Sequence, residues 1–141
     1  MSNEWSQINL LDSRMVADVR RDWIVERNRA YATAAFRVPS LSGSAAIVWA
    51  LAGRVTPEEV AQQLTDSISN EVDVIDLVTD SGLWGWVLTV HLGGERPETI
   101  DYRHLPLRDA EFLVSASAPD SDWARFTPVI DRHFASVAVH E

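Results

Sequence analysis

From Trp84 to Leu92 every even position is apolar: Trp84, Trp86, Leu88, Val90 and Leu92 alternate with Gly85, Val87, Thr89 and His91. Side chains of a strand point alternately to its two faces, so this pattern is a strand with one strongly apolar face. Gly93-Gly94 closes it in a turn. Such a strand needs neighbours on both edges or one, and a cover over its greasy side. The two indoles, two residues apart, are expected to point the same way and present a broad flat apolar surface.

The rest of the chain supplies neighbours and cover. Strands are expected over residues 15–20, 23–27, 30–38, 72–79, 98–105 and 110–117, split by turn residues. Residues 45–52 are apolar on both faces, as in an interior strand. Ile47, Trp49 and Leu51 share one face, while small Ala46, Ala50 and Ala52 with Val48 leave room for a packed helix on the other. Thr56-Pro57-Glu58-Glu59 reads as a helix start. Thr56 caps, proline suits the first helical position, Glu59 completes a capping box, and two acids meet the positive end of the dipole. Val60, Leu64 and Ile68 then give the buried stripe of a helix over 57–69. The tail is helical from a cap at Asp120 or Ser121, with Trp123, Phe126, Ile130, Phe134 and Val137 on one side; Pro128 either kinks a single helix, as the unbroken periodicity favours, or starts the main helix with Thr127 after a turn. The class is therefore α+β, an antiparallel sheet flanked by helices.

At 141 residues the chain is expected to form a single domain, 1–141, whose core needs neither metal nor disulfide. It has no cysteine, which removes disulfide scaffolds, thiol nucleophiles and zinc knuckles. The net charge of −9 weighs against nucleic acid or an anionic membrane as partner. All twelve basic residues are Arg, and residues 41–141 hold six of them against sixteen acids. That acidity is the mark of a solvated surface or of a basic partner. No apolar run spans a bilayer and no basic-then-apolar leader opens the sequence, so a cytoplasmic location is expected.

The sequence carries few marks of catalytic chemistry. No Gly-rich phosphate loop, Gly-x-Ser-x-Gly elbow or His-Glu-x-x-His is present. His91 and His104 lie on strands adjacent across the Gly93-Gly94 turn; with Asp101, Glu98 and Arg103 they could line an acid–base cleft or hold a small ligand. His133, beside Asp131 and Arg132, reads as part of a solvated helix face. Six tryptophans are the most unusual content. Trp84 and Trp86 either lie in a core under the tail helix with Trp123 or form an open platform for another polypeptide.

The tail, Phe112-Leu113-Val114-Ser115-Ala116-Ser117-Ala118-Pro119 followed by Trp123 and the helix to Val137, resembles the close of Mog1/PsbP-like domains. An early strand Asp22-Trp23-Ile24-Val25, a strand before the Thr-Pro-Glu-Glu helix and a following meander agree in order, so the resemblance covers about residues 14–138. It implies an α/β/α sandwich without enzymatic residues. The branches include a small-GTPase binder, lumenal photosystem subunits, LpqN-type lipoproteins and DUF1795-type chaperones, the last of which are cytosolic dimers holding apolar segments of secreted toxins. The likeness is to the LpqN/DUF1795-type branch; the absent lipoprotein cysteine departs from the exported members and favours a cytosolic adaptor or chaperone.

Two functions follow as expectations. The first is a non-enzymatic, cofactor-free and metal-free protein-binding domain, an adaptor or secretion-type chaperone, with a homodimer among the forms the relatives imply. It would shield an apolar segment with basic flanks on the sheet face around Trp84, Trp86, Leu88 and Val90. A toxin-neutralising immunity protein is a variant of this. The second is an enzyme or small-ligand binder using the cleft around His91 and His104.

Overall fold

The structure, a computed structural model, describes residues 4–10, 14–26, 34–39, 45–68 and 71–140. The chain runs β1 (Trp5–Leu10), β2 (Met15–Arg20), β3 (Ile24–Glu26), β4 (Ala34–Arg37), β5 (Ala46–Leu51), α1 (Pro57–Ser67), β6 (Val72–Ser81), β7 (Trp84–Leu92), β8 (Glu98–Pro106), β9 (Glu111–Pro119), α2 (Asp120–Ala135) and β10 (Ala138–Val139). Seven strands form an antiparallel sheet in the order β3-β4-β5-β9-β8-β7-β6; β1, β2 and β10 form a second of three. The α+β architecture of an antiparallel sheet flanked by helices is what the patterning requires. Part of the expected strand 30–38 lies outside the described residues, and β4 is its described portion.

Two apolar clusters hold the layers together. The larger joins Met15, Ala17 and Val19 of β2, Phe36, Ile47, Trp49 and Val114 of the large sheet, and Phe126, Ile130 and Phe134 of α2. The smaller joins Val60 of α1 to Trp86, Leu88, Val90 and Leu92 of β7 and Ile100 of β8. The helices therefore cover opposite faces of the large sheet. Burying this apolar surface is the main force favouring the folded chain.

Helix α1 starts as its sequence dictates. Thr56 Oγ1 accepts from Glu59 N at 3.1 Å, and the same hydroxyl donates to Glu59 Oε1 at 3.1 Å. Its packing differs from the cover that the small residues of β5 imply. Among the described residues α1 packs on β6 and β7, so no described helix covers Ala46, Val48 and Ala50, which are half-buried. On the other face Ile47 and Trp49 are fully enclosed, while Leu51 at the strand end is exposed.

Helix α2 is continuous through Pro128, which faces solvent. Its N-cap is Pro119, with no side-chain cap. Asp120 caps nothing because its carboxylate is engaged elsewhere, by His91 Nε2 at 2.7 Å and by the Thr99 hydroxyl at 3.0 Å. These bonds tie the start of α2 to the ends of β7 and β8. No helix among the described residues is long and apolar enough to cross a membrane.

Candidate functional site

Strand β6 is the edge of the large sheet, ten residues long and paired among the described residues only with β7. Its apolar residues are out in solvent: Val74 is 52%, Ile75 59%, Leu77 41% and Val78 42% exposed. An edge strand offers a row of free backbone N–H and C=O groups, and proteins normally blunt such edges with charge, bulges or a cover. Here the outer residues are greasy, and the blunting comes from Asp73, Asp76 and a bulge.

The bulge sets which side chain faces which way. The pairing runs Val72↔Leu92, Asp73↔His91 and Val74↔Val90, then slips so that Asp76 faces Thr89 and Leu77 faces Leu88. Ile75 is the inserted residue. Directly paired residues share a face, so Val72, Val74, Leu77 and Thr79 lie on the α1 side. Asp73, Asp76 and Val78 lie on the other. Without the slip Leu77 would lie on the side of Asp73, and Asp76 would face α1.

On the α1 side the edge opens into a groove of about 400 Å³. One wall is α1, with Pro57, Ala61 and Thr65; the other is Val72, Val74 and Leu77, with Leu88 between them. Glu58 and Gln62 stand on the helix wall. The helix turns Val60 and Leu64 into the smaller core, and its next positions around overhang the strand.

The residues expected to grip a partner are placed differently. Trp84 and Trp86 are each 6% exposed, Leu88 1% and Val90 not at all, so none forms an open platform. Nor do the indoles share a core. Trp84 belongs to the larger cluster, its ring 6.1 Å from that of Trp49 and 5.5 Å from that of Phe134. Trp86 lies under α1 and donates from Nε1 to the Val55 carbonyl at 3.2 Å. The change of face occurs at Gly85. Pairing with β8 begins only at Trp86↔His104, and a Cβ on residue 85 would sit 2.6 Å from His104 Nδ1, on the same side as Trp86. Two successive residues thus face α1, and Trp84 turns to the opposite layer. Simple alternation carries no sign of this beyond the glycine.

The histidine cleft does not assemble. His91 pairs with Thr99 and His104 with Trp86, five register steps apart and on opposite faces of the sheet. His91 bonds Asp120, whereas His104 stacks on Trp86 at 5.5 Å with an interplanar angle of 11° and meets Glu111 Oε1 at 3.1 Å. Asp101 and Arg103 pair with each other at 3.1 Å beneath α2, and the Arg103 guanidinium lies 4.3 Å from the Phe134 ring centre. Burial raises the Asp101 carboxyl above its ordinary range against the pull of Arg103. Glu98 is raised too, by burial and then by the charge of Asp120. No group of three or more His, Asp or Glu among the described residues could hold a metal ion.

His133 is a core residue and not part of a solvated helix face. It is fully buried, and its ring meets those of Trp23, Phe36, Trp49 and Phe134 at 5.4–6.0 Å. Trp49 Nε1 donates to Nε2 at 3.2 Å, which leaves Nδ1 as the protonated nitrogen, donating to the Asp18 carbonyl at 2.7 Å. The imidazole thus links α2 to both sheets. Burial pushes its pKa down to about 4, partly opposed by the Asp18 carbonyl bond and the Asp18 charge. Its spacing from Phe126 and Ile130, seven and three residues, was the available signal.

No family profile matches the sequence, and no curated protein sequence matches it significantly. Solved structures do. The solution structure of a cyanobacterial PsbP from Synechocystis superposes with a TM-score of 0.67 at 11% identity, over 99% of this chain and 95% of that one. The Saccharomyces cerevisiae Ran-binding protein Mog1p gives 0.66 at 11% identity, over 98% and 96%. LpqN of Mycobacterium tuberculosis, involved in cell envelope biogenesis, gives 0.61 at 15% identity, over 97% and 91%. Spread over nearly the whole of each chain, these likenesses show that the chain has the Mog1/PsbP-like fold.

Proposed function

We propose that this chain is a non-enzymatic protein-binding domain, an adaptor or chaperone that holds an apolar segment of another protein at the β6 edge. The observation that carries this reading is the strand itself. Among the described residues its ten residues pair on one side only, and they expose four large apolar side chains beside an apolar groove. A water-exposed surface of that kind is costly to keep unless it is used. That Mog1p, a protein of the same fold, binds Ran supports a protein as the partner. Trp86, Leu88 and Val90 then act from beneath, bracing β6 through β7 and α1, with Leu88 reaching the groove floor.

A photo-crosslinking residue at Leu77, compared with one at exposed Gln63 on α1, tests this in the host cell. The expected result is a discrete adduct from Leu77 only, whose partner, purified, forms a stoichiometric complex that Leu77→Asp weakens at least tenfold. Equal labelling from both positions, or a complex indifferent to Leu77→Asp, would remove the reading.

A further inference from the structure

We infer that β6 takes an extended segment of its partner as an added strand, and that this segment alternates apolar with basic residues. The inference deepens the protein-binding reading and rests on it. Three observations converge. Beyond β6 no described strand continues the sheet, so its outer backbone groups are open to a further strand. The bulge sorts the side chains of β6 by face: Val72, Val74 and Leu77 toward α1, Asp73 and Asp76 away from it. An added strand has the same two-residue period, so its side chains on the α1 side enter the groove beside Ala61 and Thr65. Those on the other side stand next to the two aspartates.

Charge selects the occupant. Residues 55–95, which span α1, β6 and β7, hold eight of the 21 acids and none of the twelve Arg. A second copy meeting β6 edge to edge would set aspartate against aspartate with no cation in either strand, and like charges across a ladder are unfavourable. A basic segment meets the opposite condition. Lys or Arg at its alternate positions lies beside Asp73 and Asp76, while Val- or Leu-like residues fill the groove.

The probe is a capped eight-residue peptide of alternating Val and Arg. Its controls are the same peptide with Glu for Arg, and a version N-methylated at every backbone amide so that neither edge can donate to β6. Binding is read by fluorescence anisotropy and by amide hydrogen exchange over residues 72–79. The Val-Arg peptide is expected to bind, to slow exchange across β6, and to weaken as salt is raised. The Glu and N-methylated peptides are expected to bind at least tenfold less well. Asp73→Arg with Asp76→Arg, both at exposed positions, should reverse the preference toward the Glu peptide; Asp73→Asn with Asp76→Asn should abolish it. Equal binding by the N-methylated peptide would reduce the effect to surface charge and overturn strand addition. A peptide-free dimer with β6 already protected would hand the edge to a second copy and overturn the inference as well. Should Leu77 crosslink a partner while the Val-Arg peptide fails, strand addition falls and the protein-binding reading stands.

Discussion

His133 shows how a titratable side chain can serve as a structural pin. Both ring nitrogens are engaged, one by Asp18 in the small sheet and one by Trp49 in the large sheet, and four aromatic rings exclude water. The neutral form is the one that fits. With the folded pKa near 4 and the ordinary value 6.5, the unfolded chain binds the extra proton between those limits and the folded chain does not. Stability therefore falls as pH drops from 6.5 toward 4, by on the order of 3 kcal/mol for this group. Glu98 and Asp101 have raised pKa values and act in the opposite sense, gaining stability on acidification. Urea unfolding of the wild type and His133→Phe across that range separates them: the variant should lack the histidine's share of the slope. Parallel curves would show that His133 is not the group being charged. A second pin lies at Gly85, where a Cβ would meet His104 at 2.6 Å. The imidazole is held by Trp86 and Glu111 and has little freedom to retreat, so Gly85→Ala should cost about 1–3 kcal/mol. Much of that loss should vanish in a His104→Ala background, because the collision is then gone. An additive double-mutant cycle would place the strain elsewhere.

Helix α1 and strand β6 are adjacent in sequence yet differ in how openly their residues announce them. The start of α1 is written in local chemistry, since Thr56, Pro57 and Glu59 act within one turn and need nothing from the rest of the fold. Thr56→Ala should destabilise the protein by about 1 kcal/mol in thermal or urea unfolding, and no change would mean that the cap is redundant with tertiary packing. Strand β6 is obscured by its insertion. Val72 and Val74 fall on one parity and Leu77 on the other, so no single two-residue period describes Val-Asp-Val-Ile-Asp-Leu-Val-Thr until Ile75 is set aside. Strand β7 is the converse, a clean alternation that misleads at its first residue because the face changes at Gly85. Strands β1 and β10 were not anticipated. Six residues reading Trp-Ser-Gln-Ile-Asn-Leu and two reading Ala-Val carry too short a pattern, and their pairing with β2 is a tertiary fact. The resemblance of the tail to Mog1/PsbP-like domains survived because strand, turn and amphipathic helix follow one another there without a break.

At the scale of the whole molecule the two cores are unequal, and the inequality coincides with the candidate docking edge. The larger cluster gathers twenty buried residues from both sheets and α2; the smaller has six, and only Val60 comes from α1. Regions with few buried contacts open at lower free energy than the global transition. The partner surface was hard to read for the same reason. Exposed apolar residues on β6 look in sequence like any strand's core face, and only the sheet order, which puts β6 last, leaves them outside. Native-state hydrogen exchange should therefore find the α1 amides exchanging through local openings that depend weakly on denaturant. Amides of β5 and β9, interior to the sheet, should exchange only with global unfolding. Val60→Ala should lower protection in α1 and β6 by more than it lowers protection in β9. Equal free energies for α1 and β9 would describe one cooperative unit, with a groove too rigid to adapt to an incoming side chain. The expected difference would instead put the movable wall of the groove on the less stable end of the protein, where an added strand can order it on binding.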